Sequence, residues 1–289
     1  MSPFERMSQL VTVRDIFTPW GAVFDSDDSV GEAMTQLLES RDSSWDRPCL
    51  VQGDGLQGDG IFTPEEGEHY ISSKDTIDLH MEEFGTSAML SANTSVLESL
   101  ELIGRTKADF YVVIDGNNMV GTLRFVDFMK PAGRLCLFAL TMELEVCALE
   151  LCDAFAEQCW RSLPTGRQKQ AMEVFRRRHN NIDLAWLKKY RRGLRGRDLE
   201  HVFVDCTTMI DKATMIRKCK LTIASSGTEL KEVFGRAERL RNSCAHPALV
   251  ESEDGLMPLD DLVPLITACR RLIEAFKAIT PPRASPWDE

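Results

Sequence analysis

The sequence predicts two structural classes in one chain: an α+β region over residues 1–130, an all-α helical region over 131–280, and an extended tail at 281–289. Three observations carry this. A helix followed by a strand–turn–strand pattern occurs twice in the first region, about 65 residues apart. From Pro131 onward the short apolar runs stop, and apolar residues recur at helical spacing. Charge divides the chain as well. The net charge is −11 and the acids concentrate before residue 130, whereas 161–197 holds 12 basic residues against only Glu173 and Asp183.

The elements follow in order. After Asp28, the residues Val30, Ala33, Met34, Leu37 and Leu38 lie at helical spacing. Cys49–Val51 and Gly60–Phe62 are short apolar runs on either side of a Gly/Asp-rich turn, as in a hairpin. The pattern then recurs. Val96, Leu97, Leu100 and Ile103 share a helical face after Thr94. Phe110–Ile114 runs into Asp115-Gly116-Asn117-Asn118, a strong turn signal, and Met119–Leu123 runs back. A repeat this short implies two half-units sharing one core.

In the second region, Leu137, Leu140, Leu144, Ala148, Leu151 and Phe155 form a long stripe over 133–161, which Pro164 ends. Further helices are predicted at 166–180, 183–192, 199–221, 228–246 and 259–278.

The first repeat reads VRDIFTP (13–19), SDDSVGEAM (26–34) and GIFTPEE (60–66). The second reads NTSVLESL (93–100) and YVVIDGNNMVGTLRFVDF (111–128). Together they resemble a tandem pair of cystathionine β-synthase (CBS) domains over about 40% of the chain. The resemblance rests on the strand–turn–strand that ends in Gly-hydrophobic-x-Thr-x-x-Asp. It implies a regulatory adenine nucleotide (AMP, ADP or ATP), with the Thr and Asp of that signature reaching phosphate and ribose. By position this assigns Thr63 and Glu66 in the first repeat and Arg124 and Asp127 in the second. Glu66 stands for Asp, and Arg124 stands for Thr. Arg124 either clamps a phosphate bidentately or blocks the site. Two plainer readings stay open: Asp127 as a helix cap and Thr63 as a turn residue. Many such pairs serve only as dimerisation modules.

In 226–247, SGTELKEVFGRAERLRNSCAHP, Ser226 and Glu229 form a capping-box pattern. Leu230, Val233, Phe234, Ala237, Leu240 and Cys244 make the buried stripe. Arg241 falls near its centre, roughly 20° from Leu230 at about 100° per residue. An unpaired guanidinium is costly to bury, so Arg241 requires a carboxylate, a partner chain or an anionic ligand. His246 and Pro247 follow.

Arg241-Asn242-x-x-x-His246 resembles the Arg-x4-6-His motif of HEPN domains, and the helical surroundings agree over roughly 133–280. The resemblance implies a metal-independent endoribonuclease that activates a ribose 2′-OH against the adjacent phosphate. His246 would transfer the proton. Arg241 would neutralise phosphorane charge. Asn242 would orient His246 or hold the phosphate. The family builds its site across a homodimer and often acts in toxins or antiviral defence. It often places a polar residue on an early helix facing the motif; Glu143 and Glu145 are the candidates, Glu145 preferred. A straight helix sets His246 about 140° from Arg241, and Pro247 disfavours helical geometry at His246.

Beside such a site, the basic run becomes an RNA surface: Arg176, Arg177, Arg178, Lys188, Lys189, Arg191 and Arg192, with Trp186 and Tyr190 for base stacking. The plainer reading is a solvated helix face. No metal is implied and no cofactor is required. His69, His80, His179 and His201 read as structural or exposed. The nine cysteines include no C-x-x-C pair and read as buried reduced thiols. Neither a membrane span nor a signal peptide is expected, so the chain is predicted to be cytoplasmic. The alternative to an enzyme is a non-catalytic nucleotide-sensing dimerisation or interaction module, with Arg241 and His246 in packing and ion pairs.

Overall fold

The computed structural model describes residues 3–39, 47–53, 58–64, 74–178, 199–222, 227–245 and 257–280. The chain divides into two compact units, one of residues 7–136 and one of 137–289 together with the first six residues.

After a helix α1 (Pro3–Leu10), for which the sequence pattern made no provision, the first unit carries strands β1 (Thr18–Pro19), β2 (Val23–Asp25), β3 (Cys49–Gln52), β4 (Gly60–Phe62), β5 (Glu82–Glu83), β6 (Met89–Ser91), β7 (Phe110–Asp115) and β8 (Asn118–Arg124). Helix α2 (Val30–Glu39) joins β2 to β3, and α3 (Val96–Thr106) joins β6 to β7. In each repeat the strand before the helix pairs in parallel with the strand after it, and the hairpin then turns back antiparallel.

The two short strands exchange between repeats. The sheet orders are β1-β8-β7-β6 and β2-β3-β4-β5. Thus β1, which precedes the first repeat, pairs with the last strand of the second. β5, which precedes the second, pairs with the last strand of the first. Isolated bridges Thr12↔Ser95 and Ser29↔Thr76 repeat the exchange at the helix starts. Each repeat therefore completes the other, which gives physical form to the expected shared core.

Local chemistry explains the elements. Ser29 Oγ accepts from the Glu32 amide at 3.1 Å and Ser95 Oγ from the Glu98 amide at 3.3 Å, satisfying first-turn donors of α2 and α3. Buried Val30, Ala33, Met34 and Leu37 give α2 one apolar face, which packs on Phe24, Cys49, Val51, Phe62 and Ile77. Truncating a fully buried Phe62 to Ala costs about 3–5 kcal/mol. Ile61 of β4 packs with Phe110 and Val112 of β7, which brings the two sheets together. The β7–β8 hairpin closes through Gly116 at φ +63°, a conformation without penalty for glycine. Gly121 is required by close approach, since a Cβ there would lie 2.1 Å from the Thr18 carbonyl oxygen.

The helical region contains α4 (Pro131–Ala154), α5 (Ala156–Ser162), α6 (Thr165–Arg178), α7 (Leu199–Asp205), α8 (Met209–Lys218), α9 (Gly227–Ala245) and α10 (Leu259–Ile279). Helix α8 packs on α9 and α5, α7 on α5 and α6, and α9 on α10. Two predicted helices are each divided. The 133–161 stripe breaks at Phe155, although its apolar positions continue into Ala156 and Cys159. The 199–221 helix stops before Thr208, whose hydroxyl accepts from the Asp211 amide at 3.2 Å and caps α8. The predicted helix at 183–192, the tail at 281–289 and Ser226 lie outside the described residues.

Candidate functional site

In the first unit, the last turn of the second repeat shapes a pocket of about 370 Å³ lined by Thr18, Pro19, Arg47, Pro48, Thr122, Arg124, Val126, Asp127 and Lys130. Register puts it there: Thr18 of β1 lies opposite Thr122 of β8, and Pro19 opposite Gly121. The Phe125–Met129 turn follows β8 directly, so Asp127 folds back under Thr18.

Asp127 is 2% exposed and amply bonded. Its Oδ1 accepts from the Thr18 hydroxyl at 2.7 Å and pairs with the Lys130 ammonium at 2.7 Å. Its Oδ2 accepts from the Arg124 amide at 2.7 Å, the bond of a helix cap. Lys130 also donates to the carbonyls of Ile16 (2.7 Å) and Phe17 (3.0 Å) and to the Thr18 hydroxyl (2.8 Å). Arg124 Nη2 donates to Thr63 Oγ1 at 3.4 Å, so the two signature positions from different repeats meet. Glu66 lies outside the described residues. The Thr122 hydroxyl is fully buried and has no hydrogen-bond partner among the described residues. Sequence pattern missed Thr18, Arg47, Thr122 and Lys130 as pocket residues. The β1–β8 pairing and the turn after β8 assemble Thr18, Thr122 and Lys130, while Arg47 enters with Pro48 just ahead of β3.

In the helical region, α9 presents Arg241 to α4. Arg241 Nη1 donates to Glu145 Oε2 at 2.6 Å. Nε and Nη2 lie 3.4 and 3.3 Å from Asn242 Oδ1, and Glu238 stands 3.9 Å away. Arg241 is only partly buried, with a side chain 24% exposed. A carboxylate of the same chain thus meets the need that its apolar stripe created, and no partner chain is required for it. Three of the five guanidinium hydrogens are used by Glu145 and Asn242, and among the described residues the other two have no hydrogen-bond acceptor. Glu145 serves a second cation. The Lys212 ammonium is buried, donates to the Thr207 carbonyl at 2.7 Å and lies 3.6 Å from Glu145 Oε1. Lys212 sits on α8 between buried Met209 and Ile216, a polar break in an apolar stripe legible by the same argument as Arg241. Glu143 turns elsewhere, pairing with Lys277 at 3.1 Å. Asn242 is exposed, and His246 lies outside the described residues.

On α6, Arg176 and Arg177 pair with Glu173 at 3.1 and 3.3 Å, and Arg178 with Asp205 at 3.7 Å. Lys188, Lys189, Arg191 and Arg192 lie outside the described residues, as do His69 and His179. The other two histidines have carboxylate partners that sequence spacing did not reveal: His201 Nδ1 is 2.6 Å from Asp153, and His80 Nε2 is 3.6 Å from Asp75. None of the nine cysteines forms a disulfide, and seven of them are buried. Among the described residues no group of three or more His, Cys, Asp or Glu converges to hold a metal, and no helix is long and apolar enough to cross a membrane.

No family model matches the chain, and no curated protein matches it. The N-terminal part is similar to solved CBS-domain structures. One is from a transcriptional regulator of Streptococcus pneumoniae (16% identity over 41% of this chain and 96% of that one, TM-score 0.30). Another belongs to a bacterial CNNM/CorC family Mg2+ transporter in complex with ATP (16% identity, 43% of this chain and 88% of that one, TM-score 0.32). A third is CBSX2 in complex with AMP (19% identity, 40% of this chain and 92% of that one, TM-score 0.29).

Proposed function

We propose that the first unit binds an adenine nucleotide in the pocket beside β8 and that occupancy regulates the helical region. The observation that carries this reading is the pocket itself: Arg47, Arg124 and Lys130 line it together with a buried Thr122 hydroxyl that has no partner among the described residues. An anionic ligand with a hydrogen-bond acceptor answers both features. Thr63 lies beside Arg124, and Glu66 would act from the first repeat. Asp127 would reach ribose only by adding to or exchanging its present bonds. Calorimetric titration of the full chain with AMP, ADP and ATP is expected to find at least one binder, weakened by Arg124→Ala. No heat and no thermal shift with any of the three would refute it.

A second reading concerns the helical region, and the Arg241–Glu145 pair favours it. A guanidinium held at the end of a long helix, with two hydrogens uncommitted and Asn242 exposed beside it, suits the HEPN endoribonuclease chemistry of Arg241, Asn242 and His246, with Glu145 positioning the Arg. Two copies of the chain would then join their motifs in a cytoplasmic homodimer, and α6 with the basic residues after it would track RNA. A role in stress or antiviral defence follows from the family resemblance. The non-catalytic alternative assigns the same pair to stability alone. Incubation of the purified chain with total RNA, with and without nucleotide, alongside Arg241→Ala and His246→Ala, separates the two.

A further inference from the structure

We propose that the pocket beside β8 selects its ligand by charge, as a site for two adjacent phosphoryl groups, with Asp127 a structural anchor and not a ribose acceptor. This rests on the reading of that pocket as a ligand site and names the chemistry it takes. Asp127 is 2% exposed and already holds three donors, the Thr18 hydroxyl, the Lys130 ammonium and the Arg124 amide. A sugar hydroxyl has to compete with a charge-assisted pair in order to use it.

The remaining side chains carry the opposite sign. Arg124 meets the neutral Thr63 hydroxyl and no carboxylate among the described residues, and Arg47 has no ion pair there. Among the described lining residues Lys130 is the one cation facing a carboxylate, and Arg47, Arg124 and Lys130 outnumber Asp127 three to one. A ligand with two or more negative charges restores balance, whereas a neutral nucleoside does not.

Thr122 supplies an independent pointer. A hydroxyl that is fully buried and unpartnered is an exception in a folded protein, and here it belongs to the pocket lining. A phosphoryl oxygen that enters past the lining would accept a hydrogen bond from it, with Arg47 and Arg124 supplying planar donors to the same group or its neighbour. The volume of about 370 Å³ admits a diphosphate with or without a nucleoside. The shared chemistry is the diphosphate. It could come from a nucleoside diphosphate or triphosphate, or from inorganic pyrophosphate.

The test is calorimetric titration of the full chain with adenosine, AMP, ADP, ATP, orthophosphate and pyrophosphate, repeated on Arg47→Gln and Arg124→Gln. Both changes spare the Asp127 anchor, and circular dichroism checks that each variant folds. ADP is expected to bind at least about tenfold tighter than AMP, and pyrophosphate about tenfold tighter than orthophosphate. Adenosine should give no heat. Arg47→Gln should weaken ADP and pyrophosphate alike, and added salt should do the same. Pyrophosphate binding without any adenine nucleotide would keep this proposal and retire the adenine reading. Adenosine binding as tightly as ADP, or ADP binding unchanged in Arg47→Gln, would overturn the proposal and keep the adenine reading. No binding by any of the six would overturn both.

Discussion

Glu145 of α4 accepts a 2.6 Å hydrogen bond from Arg241 of α9, 96 residues away in sequence. The same carboxylate lies 3.6 Å from the buried Lys212 ammonium of α8. One anion therefore ties three helices together, and its two partners differ in burial: Lys212 is 2% exposed in its side chain, Arg241 24%. The buried partner depends on Glu145 more, because it has no water to replace the missing charge.

Glu145→Ala is accordingly expected to destabilise the chain by about 3 kcal/mol, since it strands a buried cation. Lys212→Met should cost much less, because it removes the cation that needs the carboxylate. Adding Lys212→Met to Glu145→Leu should recover most of the loss. Urea midpoints for these variants and the parent chain check this; equal losses for Glu145→Ala and Lys212→Met would show that the coupling is absent.

Asp127→Ala should lower stability by about 3 kcal/mol with no ligand present, since it frees Thr18, Lys130 and the Arg124 amide at once. A thermal melt of the unliganded chain reads it. An unchanged melting temperature would mean that the Asp127 bonds contribute nothing to folding.

Acid should act through Asp211. Its burial alone would raise the carboxyl, but the Arg167 guanidinium, bonded at 2.7 Å through both oxygens, and the Thr208 amide and hydroxyl outweigh burial and hold it below the ordinary carboxylate value. A folded-state value below the unfolded one gives stability that is present above the unfolded pKa of about 3.9 and is lost as pH falls through the folded value. Asp211→Asn should flatten that acid limb of a stability-against-pH profile. A variant whose profile keeps the wild-type slope would place the acid sensitivity elsewhere.

Much of the fold was legible in residue patterns. The α2 and α3 stripes, the Gly116 turn and the long helices come from periods of 3.6 and from a hairpin signal, all local properties. The exchange of β1 and β5 was not legible, because two residues carry no period and their partners lie far along the chain. The same exchange assembles Thr18, Thr122, Arg124 and Lys130, so only the motif positions of that pocket could be named in advance. The division before α8 did have a signal, Thr208 three residues ahead of Asp211, hidden by apolar spacing that runs on through it. Arg241 stood out as a charge on an apolar stripe. Its partner could be narrowed to Glu143 or Glu145, and the turn of the α4 helix decides between them.

Thiol chemistry gives a further check. Burial pushes the Cys49 thiol up to about 11, the Cys269 thiol up to about 12, and, with help from Glu143, the Cys147 thiol up to about 12. Thiolate is the reactive form, so these three should resist iodoacetamide in the native chain at about pH 8 and react once it is unfolded. Peptide mass mapping of alkylated protein reads this directly; prompt native labelling at any of the three would contradict their burial.

If Arg241 and His246 act on the transition state, their alanine variants should lose about 100-fold or more in cleavage rate while RNA affinity changes little. Glu145→Gln keeps the hydrogen-bonding shape but not the charge that holds Arg241, so it should alter rate more than affinity as well. Charge reversal at Arg176 and Arg177 should do the opposite, weakening binding and lowering its salt slope by roughly one for each phosphate no longer neutralised. Cleavage should persist in EDTA and leave 2′,3′-cyclic phosphate ends, because attack by the 2′-OH needs only a base and a cation. A substrate with 2′-deoxyribose at the scissile position should survive. Cutting of the deoxy substrate, or loss of activity in EDTA, would exclude this mechanism. Absence of any cleavage with or without nucleotide would leave Arg241 and Glu145 as the ion pair of a binding module.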